Sequence, residues 1–323
     1  MRSRLPFLIA CVLLALLAGL GLGAVRIAPA DVWHGLVSST APDAAIVREL
    51  RLPRVLLGFL VGGSLALSGA VLQATIRNPL AEPYLLGISG GAGLAAVIVI
   101  ALGVTGQWVL PLAAFGGALT AIAIVYRLSL VRGGRLDSAV LLLAGVVVSA
   151  FCSAMVGAIL TLSDATHLRN AMLWMLGGLG SASWDSLPLF ALYAIIPVAV
   201  LFWQARWLDL LALGDEPARS LGADPDRLRR IVYLTTSLLT AASVATCGMI
   251  GFVGLVVPHA VRRLWGPLHR PLLPSAFVLG GSFLVVADAL ARSVVPPIEL
   301  PVGVITALVG VPLFAVLLRR TVT

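Results

Sequence analysis

The sequence predicts an all-α, polytopic membrane protein with about ten transmembrane helices. Three observations carry that prediction. First, of 323 residues, 60% are hydrophobic and 11% are charged, whereas a soluble domain carries about 25% charged residues. Mean hydropathy is +1.06, so the solvent for most of this surface is lipid. Second, the apolar residues come in long continuous runs, not in the short alternating strands of a membrane barrel. Third, Pro, Gly and charged residues cut those runs into pieces of roughly 20 residues, the length that crosses a hydrocarbon core.

The elements follow in order, with ranges in residue numbers. The first span, about 5–24, follows Arg2 and Arg4 and resembles a secretory signal. The next residues, RIAPADVW, offer no clear cleavage site, so the segment is read as a retained helix. A wet loop over 26–51 leads to a second span, about 53–76, that stops at Asn78-Pro79. Further spans are expected near 84–104, 108–126 and 138–162. The semi-polar stretch 167–180, running into GGLGSAS, reads as a short interfacial helix. A sixth span covers about 186–204 and a seventh about 229–250. The segment GFVGLVVPHAVRRLWG is too short to cross comfortably and reads as a short or broken helix, counted eighth. The last two spans lie near 272–291 and 302–318. Within the spans, GGSLALSGA (62–70) and GISGGAGLAA (87–96) place small residues at helical spacing, which lets helices approach closely.

All 22 basic residues are arginine, and the net charge is +8. With both termini on one side, sixteen arginines fall on that side and six on the other. The positive-inside rule then puts the termini in the cytoplasm. The charge is a topology signal, not the footprint of a nucleic-acid partner. Cys11, Cys152 and Cys247 sit far apart in apolar segments, without metal-ligand spacing, and read as small packing residues. No GxxxxGK[ST] loop, HExxH or intramembrane acid pair is present.

Three polar features stand out. GDEPARSLGADPDRLRR, residues 214–230, is cytoplasmic in this topology. Asp215 is placed to cap a short helix with Glu216 and Pro217 in its first turn, and Gly222 to end it. Asp224 and Pro225 are placed to start the next helix. The stretch is either an ordinary solvated loop or a rigid stub for a cytoplasmic partner. On the outer side, Arg51 and Arg54 flank the mouth of the second span and Arg292 follows the ninth. Asp288 is an acid deep in a span, with Arg292 at i+4; a local ion pair is the expectation, a proton-carrying acid the rival. Arg48 is a weaker docking candidate, and His259, after Pro258, reads as a packing residue more readily than as a heme ligand. Asn78-Pro79-Leu80-Ala81-Glu82-Pro83 is a turn stiffened by its prolines, with Asn78 and Glu82 as hydrogen-bond anchors.

Three stretches resemble the FecCD permease family in order along nearly the whole chain. They are LRLPRVLLGFLVGGSLALSGAVLQATIRNPLAEPYLLGISGGAGLA (50–95), LGDEPARSLGADPDRLRR (213–230), and GMIGFVGLVVPHAVRRLWGPLHRPLLPSAFVLGGSFLVVADALAR (248–292) continued by ELPVGVITALVGVPLFAVLLRR (299–320). The resemblance implies one permease domain over 1–323 with a BtuC-like type II ABC importer fold, in which 214–230 is the coupling segment. It implies that Asp215, Glu216, Ala218, Arg219, Ser220, Leu221 and Gly222 contact an ATPase subunit. It implies that Arg51, Arg54 and Arg292 receive acidic residues of a periplasmic binding protein. Asn78, Pro79, Glu82 and Pro83 would lie near the inner end of the pathway. The implied assembly is two permease copies, two ATPase subunits and one binding protein in the bacterial inner membrane. No cofactor is expected on this chain, because ATP and Mg belong to the ATPase. The implied cargo is an iron chelate (ferric siderophore or heme), with cobalamin as the alternative. The rival of another class is a proton-coupled transporter using Asp288.

Overall fold

The computed structural model describes residues 4–131 and 135–322. Arg2 and Arg132, two of the arginines in the topology count, lie outside the described residues. The helices are α1 (Arg4–Gly21), α2 (Pro29–Val37), α3 (Leu52–Ile76), α4 (Ile88–Ala101), α5 (Val109–Ser129), α6 (Ser138–Leu162) and α7 (Ala165–Met175). They continue as α8 (Ser186–Trp203), α9 (Ala205–Leu211), α10 (Asp215–Ser220), α11 (Pro225–Cys247), α12 (Val253–Trp265), α13 (His269–Ala291) and α14 (Val302–Val322). A turn of π-helix, Ile46–Arg51, feeds α3, and a 3-10 turn, Pro83–Leu86, precedes α4. Two two-residue strands, Leu130–Val131 and Arg135–Leu136, pair antiparallel between α5 and α6.

Among the described residues, seven helices are long and apolar enough to span: α1, α3 with its π-turn, α5, α6, α8, α11 and α13. Two more, α4 and the Val302–Val316 part of α14, are apolar but shorter. With α12 they make up the ten segments expected, so three of the ten fall short of a full-length apolar crossing. Helix starts follow capping chemistry. Asp137, Asp164 and Asp224 each accept two backbone N–H bonds at the heads of α6, α7 and α11, and Pro225 opens α11 at a position that needs no N–H.

α3 is the central mast. In its most apolar window 83% of residues are buried, against 17% for α1 and 22% for α8. α13, α12 and α11 pack around it. The approach is close because the expected small residues lie at the contacts. A Cβ on Gly62 would fall 2.3 Å from the Gly280 carbonyl oxygen, and one on Gly69 only 1.8 Å from that of Gly254. Gly91 and Gly117 make the same kind of contact between α4 and α5. Bare backbone surfaces meet here, where lipid gives no hydrophobic drive to helix pairing and packing must supply it.

Two expectations need correction. The span expected at 84–104 is broken: Gly87 at φ 81° separates the Pro83–Leu86 turn from α4. Nor is the 167–180 segment helical throughout: α7 ends at Met175. The chain beyond α7 turns inward, and the Gly178 N–H donates to the Cys247 carbonyl at the end of α11 at 2.8 Å. Gly248, just after that end, leaves space for the Trp174 carbonyl, which a Cβ there would meet at 2.2 Å.

Candidate functional site

Charged groups gather at two places. At the outer mouth, Asp288 of α13 is 2% exposed and lies between two guanidinium groups. Arg292 Nε donates to Oδ2 at 2.9 Å, and Arg54 Nη2 donates to Oδ1 at 2.8 Å. Arg54 Nε also reaches both carboxylate oxygens, and its Nη1 donates to Glu299 at 2.9 Å. The expected i,i+4 pair is therefore present, and Arg54 joins it from 234 residues away in sequence. Charge-assisted bonds of this fork geometry are the strong ones, and a carboxylate buried this deeply requires them.

Arg51 and Arg292 point inward, at 5% and 4% exposure. Arg51 donates to the Leu20 and Val25 carbonyls, and Arg292 to the Gly19 carbonyl at 2.9 Å. These arginines saturate the carbonyls left free at the end of α1, a helix end that would otherwise be buried without partners. Of the three expected docking arginines, Arg54 is the one tied to a half-exposed rim group, Glu299. Arg48 is also engaged, donating to the Leu36 carbonyl.

At the inner side, α10 is a six-residue helix. Its N-cap is Gly214, not Asp215. The Asp215 carboxylate is drawn away from the helix end by two arginines: Arg229 of α11 at 2.7 Å and Arg77 at the end of α3. Partial burial by itself would raise the Asp215 carboxyl, but Arg229 and Arg77 outweigh it and hold it below the usual carboxylate range. Arg77 also donates to the Leu211 carbonyl at the end of α9 at 2.9 Å. Its left-handed backbone, φ 55°, ends α3 and turns the side chain toward this junction. Arg219 pairs with Asp226 at 3.2 Å across the turn. Glu216, Arg219, Ser220, Leu221 and Gly222 are exposed, Leu221 at 58%. Ala218 is fully buried and faces the body of the protein, so it presents no contact surface. Gly222, at φ 85°, ends the element as the sequence suggests.

Between the clusters, the Asn78–Pro83 turn clamps the break between α11 and α12. The Phe252 N–H at the head of α12 donates to Glu82 Oε1 at 2.9 Å. Tyr84 Oη donates to the Ile250 carbonyl and accepts from its N–H, both at 2.9 Å. Asn78 Oδ1 accepts from the Leu80 N–H, closing the turn on itself. Pro79 lies at the inner surface beside Arg77 and Asp209, while Pro83 is buried. Sequence reasoning missed Arg77 and Arg229 as partners of Asp215, and Tyr84 as the second half of the clamp. It also missed a part-buried contact between His269 Nδ1 and Asp209 at 2.7 Å. Among the described residues no His, Cys, Asp and Glu group could hold a metal ion, and His259 is half-buried on α12.

The architecture and its two charged junctions define a class: a helical membrane protein with a polar handle at one end. The chain belongs to the FecCD transport family, whose profile it matches over residues 10–320. It is 41% identical to the hemin transport system permease protein HmuU of Yersinia pestis over 99% of this chain and 96% of that protein. It is 45% identical to the cobalamin import system permease protein BtuC of Halobacterium salinarum over 86% of this chain and 75% of that protein. Among solved structures, it superposes with TM-score 0.86 and 29% identity on a metal-chelate type ABC transporter in an inward-facing conformation, covering 99% of both chains.

Proposed function

We propose that this chain is the permease subunit of an ATP-driven importer that moves a metal chelate through the bacterial inner membrane, both termini lying in the cytoplasm. The observation that carries this is the handle. In a chain of the FecCD family, an exposed helix, α10, is riveted through Asp215 to Arg77 at the foot of the most buried helix. A partner gripping Glu216, Arg219, Ser220, Leu221 and Gly222 would move Arg77, and with it α3.

ATP hydrolysis belongs to two separate cytoplasmic subunits that bring ATP and Mg, and two permease copies enclose the pathway. The chelate is an iron chelate, ferric siderophore or heme, with cobalamin as the alternative; hemin and cobalamin are the cargoes named for the two relatives above. At the outer face a periplasmic binding protein meets the rim around Arg54 and Glu299, while Arg51 and Arg292 brace the mouth beneath it. Proton-driven transport through Asp288 fits less well, because both carboxylate oxygens are already held by two arginines.

The test is co-purification in detergent with candidate ATPase subunits, using the intact chain and the triple variant Asp215→Ala, Glu216→Ala, Arg219→Ala. Stable association of the intact chain, weakened in the variant, is expected. An intact chain that purifies alone and still moves cargo in vesicles without ATP would overturn the proposal.

A further inference from the structure

A second feature lies beside the handle and shares only Gly222 with its gripped surface. Where α8 ends at the inner side, a groove of about 300 Å³ opens between α8, α9 and the first turns of α11. Two indoles line it. Trp203, the last residue of α8, is 80% exposed, and Trp207 is one turn further on. Across the groove stands Arg227, exposed on α11, with no side-chain partner among the described residues. The lining residue of opposite charge, Asp224, is committed elsewhere: its Oδ1 accepts from the N–H groups of Asp226 and Arg227 as the cap of α11. Two further exposed arginines, Arg206 and Arg230, lie within three residues of lining positions on α9 and α11.

The level of this groove is fixed by α8. A spanning helix that ends in an exposed tryptophan ends where indoles prefer to lie, at the boundary between acyl chains and headgroups. At that depth a lipid headgroup is always present. A guanidinium without a protein partner at the same level, on the face carrying most of the arginine, matches a phosphate in geometry and in charge.

We propose that this groove binds the phosphate of an anionic phospholipid, with Arg227 as its principal contact and Trp203 and Trp207 packing on the lipid's glycerol and upper acyl region. The far wall of the groove is Gly222-Ala223-Asp224, the hinge between the handle and α11. A lipid seated there props that hinge from the membrane side, while Glu216, Arg219, Ser220 and Leu221 of the gripped surface stay outside the groove.

The test uses the full-length chain in detergent, with short-chain phosphatidylglycerol, phosphatidylcholine and glycerol phosphate as probes, bound lipid being counted by native mass spectrometry. Phosphatidylglycerol should bind in preference to phosphatidylcholine. Arg227→Gln should weaken that binding about fivefold, the worth of one basic side chain at an anionic surface. Arg227→Lys should retain most of it. Arg127→Gln, exposed at the inner end of α5 away from the groove, should change nothing. Equal binding of the two lipids, or an unchanged Arg227→Gln, overturns the proposal. Equal competition by glycerol phosphate would make the ligand a soluble phosphate, and loss of the lipid on adding the ATPase subunit would make the groove a protein interface. Each of those also overturns it.

Discussion

The two charged clusters use the same chemistry at opposite depths. At the outer mouth, Asp288 is 2% exposed and bridges two arginines that themselves are nearly buried. At the handle, Asp215 also bridges two arginines, but its side chain is 30% exposed and that of Arg77 42%. Burial decides what each can do. Removing one partner of a buried pair leaves an uncompensated charge, so the outer cluster behaves as a fixed part of the fold. An exposed pair is screened by water and contributes little to stability, so the inner cluster can shift without unfolding anything. In the function proposed above, the outer cluster is the firm mouth and the inner one the movable handle, a division that follows from solvent access.

The comparison breaks most readily at Asp288. Asp288→Ala leaves Arg54 and Arg292 facing each other without the carboxylate and should destabilise the chain by about 3–5 kcal/mol, read as a lowered melting temperature and poor yield in detergent. Gly69→Val tests whether the mast tolerates any side chain. Its Cβ would sit 1.8 Å from the Gly254 carbonyl oxygen, and loss of folded protein by size-exclusion chromatography is expected. Asp215→Ala should separate the two kinds of cluster. Stability should fall by about 1 kcal/mol or less, as for an exposed pair, while ATP-driven uptake in vesicles falls severely; a large fall in melting temperature would erase the contrast.

The pH response sharpens the same point. The Asp215 carboxyl lies below its ordinary value in the folded chain. Its contribution is therefore present above the unfolded value of about 3.9 and is lost as pH falls through the lower, folded one. ATPase association measured between pH 7 and pH 5 should not change on its account. The smallest effect belongs to Arg219→Ala. Melting should stay within about 0.5 kcal/mol of the parent, with ATPase binding weakened severalfold.

Much of the fold was legible because the membrane enforces it. Span lengths, the cap at Asp224 and the Gly-rich contact faces each follow from one local rule. The i,i+4 pair of Asp288 and Arg292 was legible for the same reason. What stayed hidden was set by distant chain. Nothing near Asp215 in sequence shows that Arg77 will reach it, and the capping rule failed there because two guanidinium groups outcompete a helix end. Ala218 looked like a contact residue until α10 was oriented. The break at Gly87 was masked by apolar residues on both sides, since hydropathy does not register a change of backbone hand. Arg51 and Arg292 looked like surface charges because they flank spans, and only the end of α1 shows why they turn inward.

The burial of α3 has a consequence for how the protein is made. α3 occupies residues 52–76, whereas α12 and α13, which enclose it, end at residues 265 and 291. During synthesis the mast enters the membrane early and meets its final neighbours only after some two hundred more residues have been added, a wait of about 10–40 s at ordinary elongation rates. In that interval its glycine surface, with Ser64, Ser68 and Gln73 along it, stands against lipid or the insertion machinery. Assembly of the core is thereby tied to the end of translation, and a chain truncated before α13 would have a correctly inserted centre with the face that meets α13 left uncovered.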